Sequence, residues 1–222
     1  MPWTRDKALQ KIRSTGLVPI VRTASAEHAS RAAEAILAGE IGIAEITMTV
    51  PGAMRVIESV VAKYGDEVLL GAGTILDAET CRAAILAGAE FIVTPVIELR
   101  VVEMARRYSK PCILGALTPT EALAAWQAGA DMVKIFPCGP AGGPKYLKAI
   151  RGPLPQIDLV PTGGVTLDTV PEYIKAGAAA VAVGGELVNL RAIEDGKLEL
   201  ITDTARKFLA AVRSGRGERA SG

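Results

Sequence analysis

The sequence contains one histidine, His28, in 222 residues. Ser-His-Asp triads, multi-histidine metal sites and histidine acid–base pairs all require imidazole groups that this chain lacks. Any proton transfer must therefore use a carboxylate, a lysine, a tyrosine or water.

Cysteine is also scarce, and Cys81, Cys112 and Cys138 show no Cys-x-x-Cys spacing. An odd number of scattered cysteines is typical of reduced thiols in a cytosolic protein, rather than of disulfides or a zinc site. Residues 1–7 lack the hydrophobic segment of a signal peptide, and no apolar run is long enough to span a bilayer. We therefore expect a cytoplasmic protein with no membrane partner.

The sequence has no excess of charge of one sign, with 25 basic and 24 acidic side chains. This balance gives no electrostatic reason to expect nucleic acid as a partner. Half of the residues are hydrophobic, which suits a large core in a single domain.

Short apolar runs alternate with helical segments along the chain, a pattern that predicts repeated βα units and a parallel sheet. The predicted strands cover residues 17–22, 43–49, 67–71, 91–94, 112–116, 132–136, 159–162 and 179–184. Eight such units in so short a chain predict an α/β fold, a compact TIM (β/α)8 barrel. An open doubly wound sheet is the alternative, but no Gly-x-Gly-x-x-Gly follows the first strand.

The predicted helices cover residues 26–38, 51–63, 77–87, 98–108, 119–128, 144–150 and 168–176, with an extra N-terminal helix at 4–14 and another at 196–213. Thr118, Pro119 and Glu121 have the spacing of a capping box, which supports this register. We therefore predict a single barrel domain over residues 1–213 and a disordered tail over 214–222.

Lys134 lies within an apolar run, 132–136, that is predicted to be a buried strand. Burial favours the neutral amine and lowers the pKa of a lysine, which makes it a nucleophile able to form a Schiff base. The alternative is a lysine at a strand end whose head group reaches water and does no chemistry.

Glu45 shares one face of the second predicted strand with Ile43, Thr47 and Thr49. The opposite face is apolar and suits the helix layer, so Glu45 is predicted to point into the barrel. A buried glutamate near a buried lysine fits a general acid/base, and a structural ion pair is the alternative.

Paired glycines follow the seventh and eighth predicted strands, at 163–164 and 184–185. Glycines let backbone N–H groups approach an anion closely, and these two loops are the usual phosphate site of a barrel. They predict a site for phosphate or another substrate anion, with tight turns as the alternative.

Four segments together resemble the 2-keto-3-deoxy-6-phosphogluconate aldolase family: EITMTVPGA at 45–53, GAGT at 71–74, VKIFP at 133–137 and PTGGV at 161–165. The resemblance runs from about residue 16 to residue 190. It implies a class I aldolase, needing no metal or organic cofactor, on a homotrimeric barrel. The implied reaction cleaves the phosphorylated 2-keto-3-deoxy acid to pyruvate and glyceraldehyde 3-phosphate. Many relatives also cleave 4-hydroxy-2-oxoglutarate to pyruvate and glyoxylate.

The resemblance places the Schiff-base lysine at Lys134 and the general acid/base at Glu45. It implies that Thr74 lines the pyruvate end and that Pro95 and Phe136 form pocket walls. The region that grips the distal phosphate corresponds to Thr162, Gly163, Gly164 and Gly184.

Two positions depart from the family pattern. Thr49 stands where some members carry an arginine that holds the substrate carboxylate, and Arg22 is a replacement, unless it forms a salt bridge at the rim. Gly185 stands where relatives often have a serine that donates to phosphate, and the acidic Glu186 follows it. Loss of that donor costs about 1 kcal/mol or more, which favours smaller or unphosphorylated 2-keto acids.

Two alternatives to this enzyme remain at the sequence level. One is an assembly protein with an idle aldolase-like site, which the presence of Lys134 and Glu45 disfavours. The other is a phosphosugar isomerase, which needs a base and a phosphate site but no imine-forming lysine.

Overall fold

Eight parallel strands form one sheet in a computed structural model, which describes residues 3–217. The strands are β1 (Leu17–Val21), β2 (Ile43–Thr47), β3 (Leu69–Gly73), β4 (Phe91–Val93), β5 (Cys112–Ala116), β6 (Met132–Ile135), β7 (Leu159–Pro161) and β8 (Val181–Val183). β1 pairs with both β2 and β8, so the first and last strands are neighbours. A parallel bridge between Thr162 and Ala182 joins the ends of β7 and β8. The sheet is therefore a barrel, and the predicted fold is confirmed.

Helices follow the strands and cover the outside of the barrel. They are α1 (Arg5–Thr15), α2 (Ala26–Ala38), α3 (Ala53–Tyr64), α4 (Ala78–Leu86), α5 (Leu99–Arg107), α6 (Pro119–Gln127), α7 (Gly143–Arg151), α8 (Val170–Lys175), α9 (Leu190–Glu194) and α10 (Leu198–Arg216). The predicted N-terminal helix is confirmed as α1. Among residues 3–217, no helix combines the length and apolarity needed to cross a membrane.

Local sequence signals determine where several helices begin. Thr118 accepts from the N–H of Glu121, whose carboxylate accepts from the N–H of Thr118, so the predicted capping box is present. Ser25 and Asp77 cap α2 and α4 in the same way, through the N–H three residues later. The loops that precede these helices, at the C-terminal ends of the strands, are thereby fixed in place.

The third strand differs from its prediction by two residues. Gly65–Glu67 forms a short 3₁₀ helix, so β3 starts at Leu69 and continues to Gly73. Glycine has low strand propensity, which is why the sequence pattern ended this strand too early. The shift places both Gly71 and Gly73 inside the sheet next to β2.

The C-terminal segment also differs from its prediction. α9 was not predicted, because a helix of five residues is too short to show a helical pattern of apolar residues in the sequence. α10 continues to Arg216, so a disordered tail from residue 214 is wrong for residues 214–216. Arg216 donates to the carbonyl groups of Arg13 and Ser14, which holds this last turn against α1. Residues 218–222 lie outside the described residues.

Candidate active site

Polar side chains are rare in the buried interior, and they gather at one end of the barrel. Each lies on a strand or within two residues of a strand's C-terminal end. The set consists of Thr23, Glu45, Thr47, Thr94, Lys134 and Thr162. Burying polar groups is costly unless they are hydrogen-bonded or functional. The C-terminal end of a barrel is also where its active site lies.

Lys134 and Glu45 face each other across this end of the barrel. Lys134 lies on β6 between Gly115 and Val160, and Glu45 lies on β2 between Ile20 and Gly71. These two strands are four positions apart in either direction around the eight-stranded barrel. Lys134 is 4% exposed and Glu45 is 1% exposed, so both groups are almost entirely removed from water.

Burial shifts the pKa values of these two groups in opposite directions. The pKa of Lys134 is lowered chiefly by desolvation, with an opposing effect of Glu45 and a further lowering by Arg22. The pKa of Glu45 is raised chiefly by desolvation, which the charges of Lys134 and Arg22 oppose. The neutral forms of both groups are therefore favoured, which suits an amine nucleophile and a carboxyl group that exchanges protons.

Lys134 and Glu45 interact electrostatically, but the structure of residues 3–217 shows no direct ion pair between them. Glu45 Oε1 is buried and has no hydrogen-bond partner in the protein, and Lys134 Nζ lies 5.2 Å from the centre of the Phe136 ring. A buried acceptor without a partner is unusual and costs stability. Here it leaves the carboxyl group available to a substrate.

Glycines on the neighbouring strands make room for these side chains. A Cβ atom at Gly73 would overlap Glu45 Oε1, and one at Gly115 would overlap the backbone of Pro95. Both glycines lie on strands adjacent to a catalytic strand. Side-chain size at these positions therefore controls where Glu45 and the β4 loop can lie.

A cavity of about 320 Å³ opens above Lys134, a volume suited to a small metabolite. It brings together residues from β1, β6, β7 and β8 and from the loops that follow them. The predicted site residues that line it are Arg22, Lys134, Phe136, Thr162, Gly163, Gly164, Gly184 and Gly185.

The glycine pairs form the part of the cavity that follows β7 and β8. Gly163 and Gly164 have φ angles of +81° and +75°, a conformation that favours glycine. The N–H groups of Gly164 and Gly185 donate to no other described residue. These groups are available to hydrogen-bond a substrate oxygen atom.

Four predicted site residues do not line this cavity. Glu45 lies beneath it, inside the barrel. Thr49 lies just beyond β2, is exposed, and shares a 2.8 Å hydrogen bond with the Thr47 hydroxyl group. Pro95 lines a second cleft, which Phe136 separates from the main cavity. Thr74 follows β3 with φ at +58°, a strained conformation for a β-branched residue and one that is common at functional sites.

The cavity also contains residues that sequence analysis did not assign to the site. Glu186, Val188 and Leu190 lie on it, in the segment between β8 and α9. Ile20 of β1 and Ala182 of β8 also line the cavity. Glu186 could have been assigned to the site from the sequence, because it directly follows the Gly184-Gly185 pair. Val188 and Leu190 could not, because they reach the cavity through the path of the loop after β8.

Metal-ligating side chains do not gather in the part of the chain that the structure describes. No group of three or more His, Cys, Asp or Glu residues is close enough there to hold an ion.

A parallel barrel with a buried lysine opposite a buried glutamate has the groups that an imine-forming lyase of the class I type needs. The family model for KDPG and KHG aldolases matches residues 9–204, where KDPG is 2-keto-3-deoxy-6-phosphogluconate and KHG is 4-hydroxy-2-oxoglutarate. The chain belongs to this family, and the resemblance seen in the sequence is confirmed. It is a class I pyruvate aldolase, a carbon–carbon lyase.

Two relatives illustrate the similarity. The 2-dehydro-3-deoxy-6-phosphogalactonate aldolase of Escherichia coli strain K12 is 36% identical over 172 residues, which cover 77% of this chain and 83% of that protein. The KHG/KDPG aldolase of the same organism is 32% identical over 205 residues, covering 92% and 96% of the two chains.

A solved structure agrees with the assignment. KDPG aldolase from Legionella pneumophila, with pyruvate captured as a covalent carbinolamine, has a TM-score of 0.82 and 29% identity. The match covers 90% of this chain and 96% of that one. A covalent pyruvate intermediate therefore occurs in a protein with the same fold and similar sequence.

Proposed function

We propose that this chain reversibly cleaves 4-hydroxy-2-keto acids to pyruvate and an aldehyde through an imine on Lys134. The proposed substrates are 2-keto-3-deoxy-6-phosphogluconate, which gives glyceraldehyde 3-phosphate, and 4-hydroxy-2-oxoglutarate, which gives glyoxylate. The observation that carries the proposal is a buried Lys134 of lowered pKa, facing a buried Glu45 of raised pKa at the mouth of the barrel.

The first half of the reaction forms the imine. The neutral amine of Lys134 adds to the C2 carbonyl group, and the resulting carbinolamine loses water to give a cationic iminium. Glu45 supplies the proton that the departing hydroxyl group needs, directly or through water. Burial raises the pKa of Glu45, which favours the protonated carboxyl group that this step needs.

The second half breaks the carbon–carbon bond. The Glu45 carboxylate takes the proton of the C4 hydroxyl group, the C3–C4 bonding pair moves into the iminium, and the aldehyde leaves. The enamine that remains is protonated at C3, with Glu45 as the acid, and water releases pyruvate and the free amine of Lys134. Each proton that Glu45 accepts in one step is returned in another.

Substrate binding is assigned to the cavity walls. Arg22 lines the cavity and interacts electrostatically with both catalytic groups, which fits a guanidinium that holds the C1 carboxylate. Thr49 and Thr74 complete the proposed pyruvate end, and Pro95 and Phe136 form apolar walls. The distal end of a longer substrate would contact Thr162 and the two glycine pairs.

Borohydride reduction in the presence of pyruvate tests this proposal. The imine is reduced to a stable secondary amine, so peptide mass spectrometry should find one pyruvyl adduct on Lys134. The variant Lys134→Met should fold, carry no adduct and lose cleavage activity by about 10³-fold or more. Lys148→Met on α7, an exposed lysine, is the matched control and should retain both adduct and activity.

Two outcomes would reject the proposal. If the folded wild-type protein gives no adduct and does not cleave 2-keto acids, an idle site is the better interpretation. If Lys134→Met loses a phosphosugar isomerase activity while no adduct forms on the wild type, the isomerase alternative is correct.

We extend the proposal to a homotrimer in the cytoplasm. Leu76, Val96 and Leu99 are 55%, 50% and 54% exposed and lie in or next to the loops after β3 and β4. A group of exposed apolar side chains on neighbouring loops is typical of a protein interface. Three buried free cysteines support a reducing compartment.

A further inference from the structure

Glu186 places a carboxylate at the glycine end of the cavity. It lines the cavity together with Gly163, Gly164, Gly184 and Gly185, and it is exposed. Among residues 3–217 it has no partner for a hydrogen bond or an ion pair. Its carboxylate therefore makes no direct contact with a cation among the described residues.

The cavity is lined by charges of both signs. Among the described lining residues, only Arg22, Lys134 and Glu186 can carry a charge. Arg22 interacts electrostatically with both Lys134 and Glu45, and it follows β1, the strand next to β8, after which Glu186 lies. The distal end has unpaired N–H groups at Gly164 and Gly185 together with the negative charge of Glu186.

We propose that Glu186 is a specificity-determining residue that favours 2-keto-3-deoxy acids with an uncharged, hydroxylated distal end over those that end in phosphate. This inference rests on the proposed aldolase function, and it extends the proposed substrates to the unphosphorylated counterpart of 2-keto-3-deoxy-6-phosphogluconate. It applies to substrates long enough to reach the glycine pairs, and not to 4-hydroxy-2-oxoglutarate, whose second carboxylate is adjacent to the reacting carbon atoms.

The donors and acceptors at the distal end match a hydroxyl group. A hydroxyl group can accept from the N–H of Gly164 or Gly185 while it donates to the Glu186 carboxylate. A phosphate dianion can use the N–H groups, but it has no proton to donate and is repelled by a carboxylate nearby. The same loop thus retains anion-binding N–H groups while its charge opposes a dianion.

The test compares two substrates of equal carbon chain, 2-keto-3-deoxygluconate and its 6-phosphate. The wild-type enzyme should have the higher kcat/KM for the unphosphorylated acid. In Glu186→Gln, kcat/KM for the phosphorylated acid should rise about fivefold to tenfold, and that for the unphosphorylated acid should change by less than about threefold. Raising the salt concentration should increase wild-type activity on the phosphorylated acid and have little effect in Glu186→Gln.

Glu58→Gln on α3 is the matched control, because it removes the same charge from an exposed glutamate that does not line the cavity. It should leave the ratio of the two kcat/KM values unchanged. If both substrates are cleaved and Glu186→Gln gives the wild-type ratio, the inference about Glu186 is wrong and the aldolase function stands. If the wild type cleaves neither substrate and Lys134 forms no pyruvate adduct, both proposals fail together.

Discussion

At the scale of single residues, Lys134 and Glu45 show how burial changes the chemistry of ordinary side chains. Each would be charged at neutral pH in water, and desolvation pushes each toward its neutral form. Their mutual attraction opposes this effect. The shift toward the neutral forms supports the proposed roles of Lys134 as nucleophile and Glu45 as proton carrier.

Arg22 tunes this pair, which gives a prediction for the pH dependence. Its positive charge lowers the pKa of Lys134, so Arg22→Gln should raise that pKa. Because the neutral amine is the nucleophile, activity rises as the pH passes upward through the pKa of Lys134. The rising limb of kcat/KM should therefore move to higher pH in Arg22→Gln, by about 0.5 pH unit.

The same variant should weaken binding of the keto acid, with KM increased about tenfold by the loss of a charge-assisted hydrogen bond. Arg107→Gln on α5, which changes an exposed arginine outside the cavity, should alter neither quantity. A change in KM with an unmoved pH profile would assign Arg22 to carboxylate binding alone.

At the scale of secondary-structure elements, β3 leaves room for Glu45 of its neighbour β2. Gly71 pairs with Glu45, and Gly73 lies where any larger residue would overlap the carboxyl group. The glycines of β3 thus leave space for the Glu45 side chain and add no functional group to the site. Two glycines cost strand stability, which is consistent with a functional reason for their presence.

Gly73→Ala should therefore displace Glu45, reduce kcat by about tenfold or more, and lower the free energy of unfolding by about 1–3 kcal/mol through overpacking. A shorter acidic side chain should relieve the overlap, so the double variant Glu45→Asp/Gly73→Ala should be more stable than additivity of the single variants predicts. Chemical denaturation and steady-state kinetics measure both effects. Strict additivity in the double-mutant cycle would contradict a direct contact between these positions.

At the scale of the whole molecule, the exposed apolar residues on one part of the barrel rim concern assembly. Leu76 lies in the loop after β3, Val96 lies in the loop after β4, and Leu99 begins α5. β3 and β4 are adjacent strands, so their loops are neighbours at the C-terminal end. An interface there would lie beside the loop that contains Thr74, close to the proposed pyruvate end.

Leu99→Lys should consequently dissociate the proposed trimer, because it places a charge in an apolar interface. Sedimentation velocity should show one species of three chains for the wild type and a smaller species for the variant. Leu86→Lys is the control: Leu86 is 62% exposed but ends α4, away from this rim. A monomeric wild type, or equal behaviour of the two variants, would exclude an interface at these loops.

The sequence was sufficient to predict the barrel and its two central residues. Strand and helix periodicities are local properties, so eight βα units could be counted without knowing their contacts. Lys134 was recognisable because a charged residue in an apolar strand is costly, and Glu45 because side chains alternate along β2. The prediction failed at β3, α9 and the end of α10, where glycine, short length or a tertiary contact overrides local preference. One end of β2, of α3 and of β8 also differs from its prediction by two residues.

Only the tertiary structure determined which of these residues meet. Closure of the barrel places β2 opposite β6. The spacing of Glu45 and Lys134 along the chain does not by itself show that they face each other. Closure also separates Pro95 from the main cavity and brings Glu186 into it, through the path of the loop between β8 and α9. The sequence by itself thus determined the elements and the reactive group, because both follow from local chemistry. The structure decided the substrate end of the site, because that depends on contacts between distant segments.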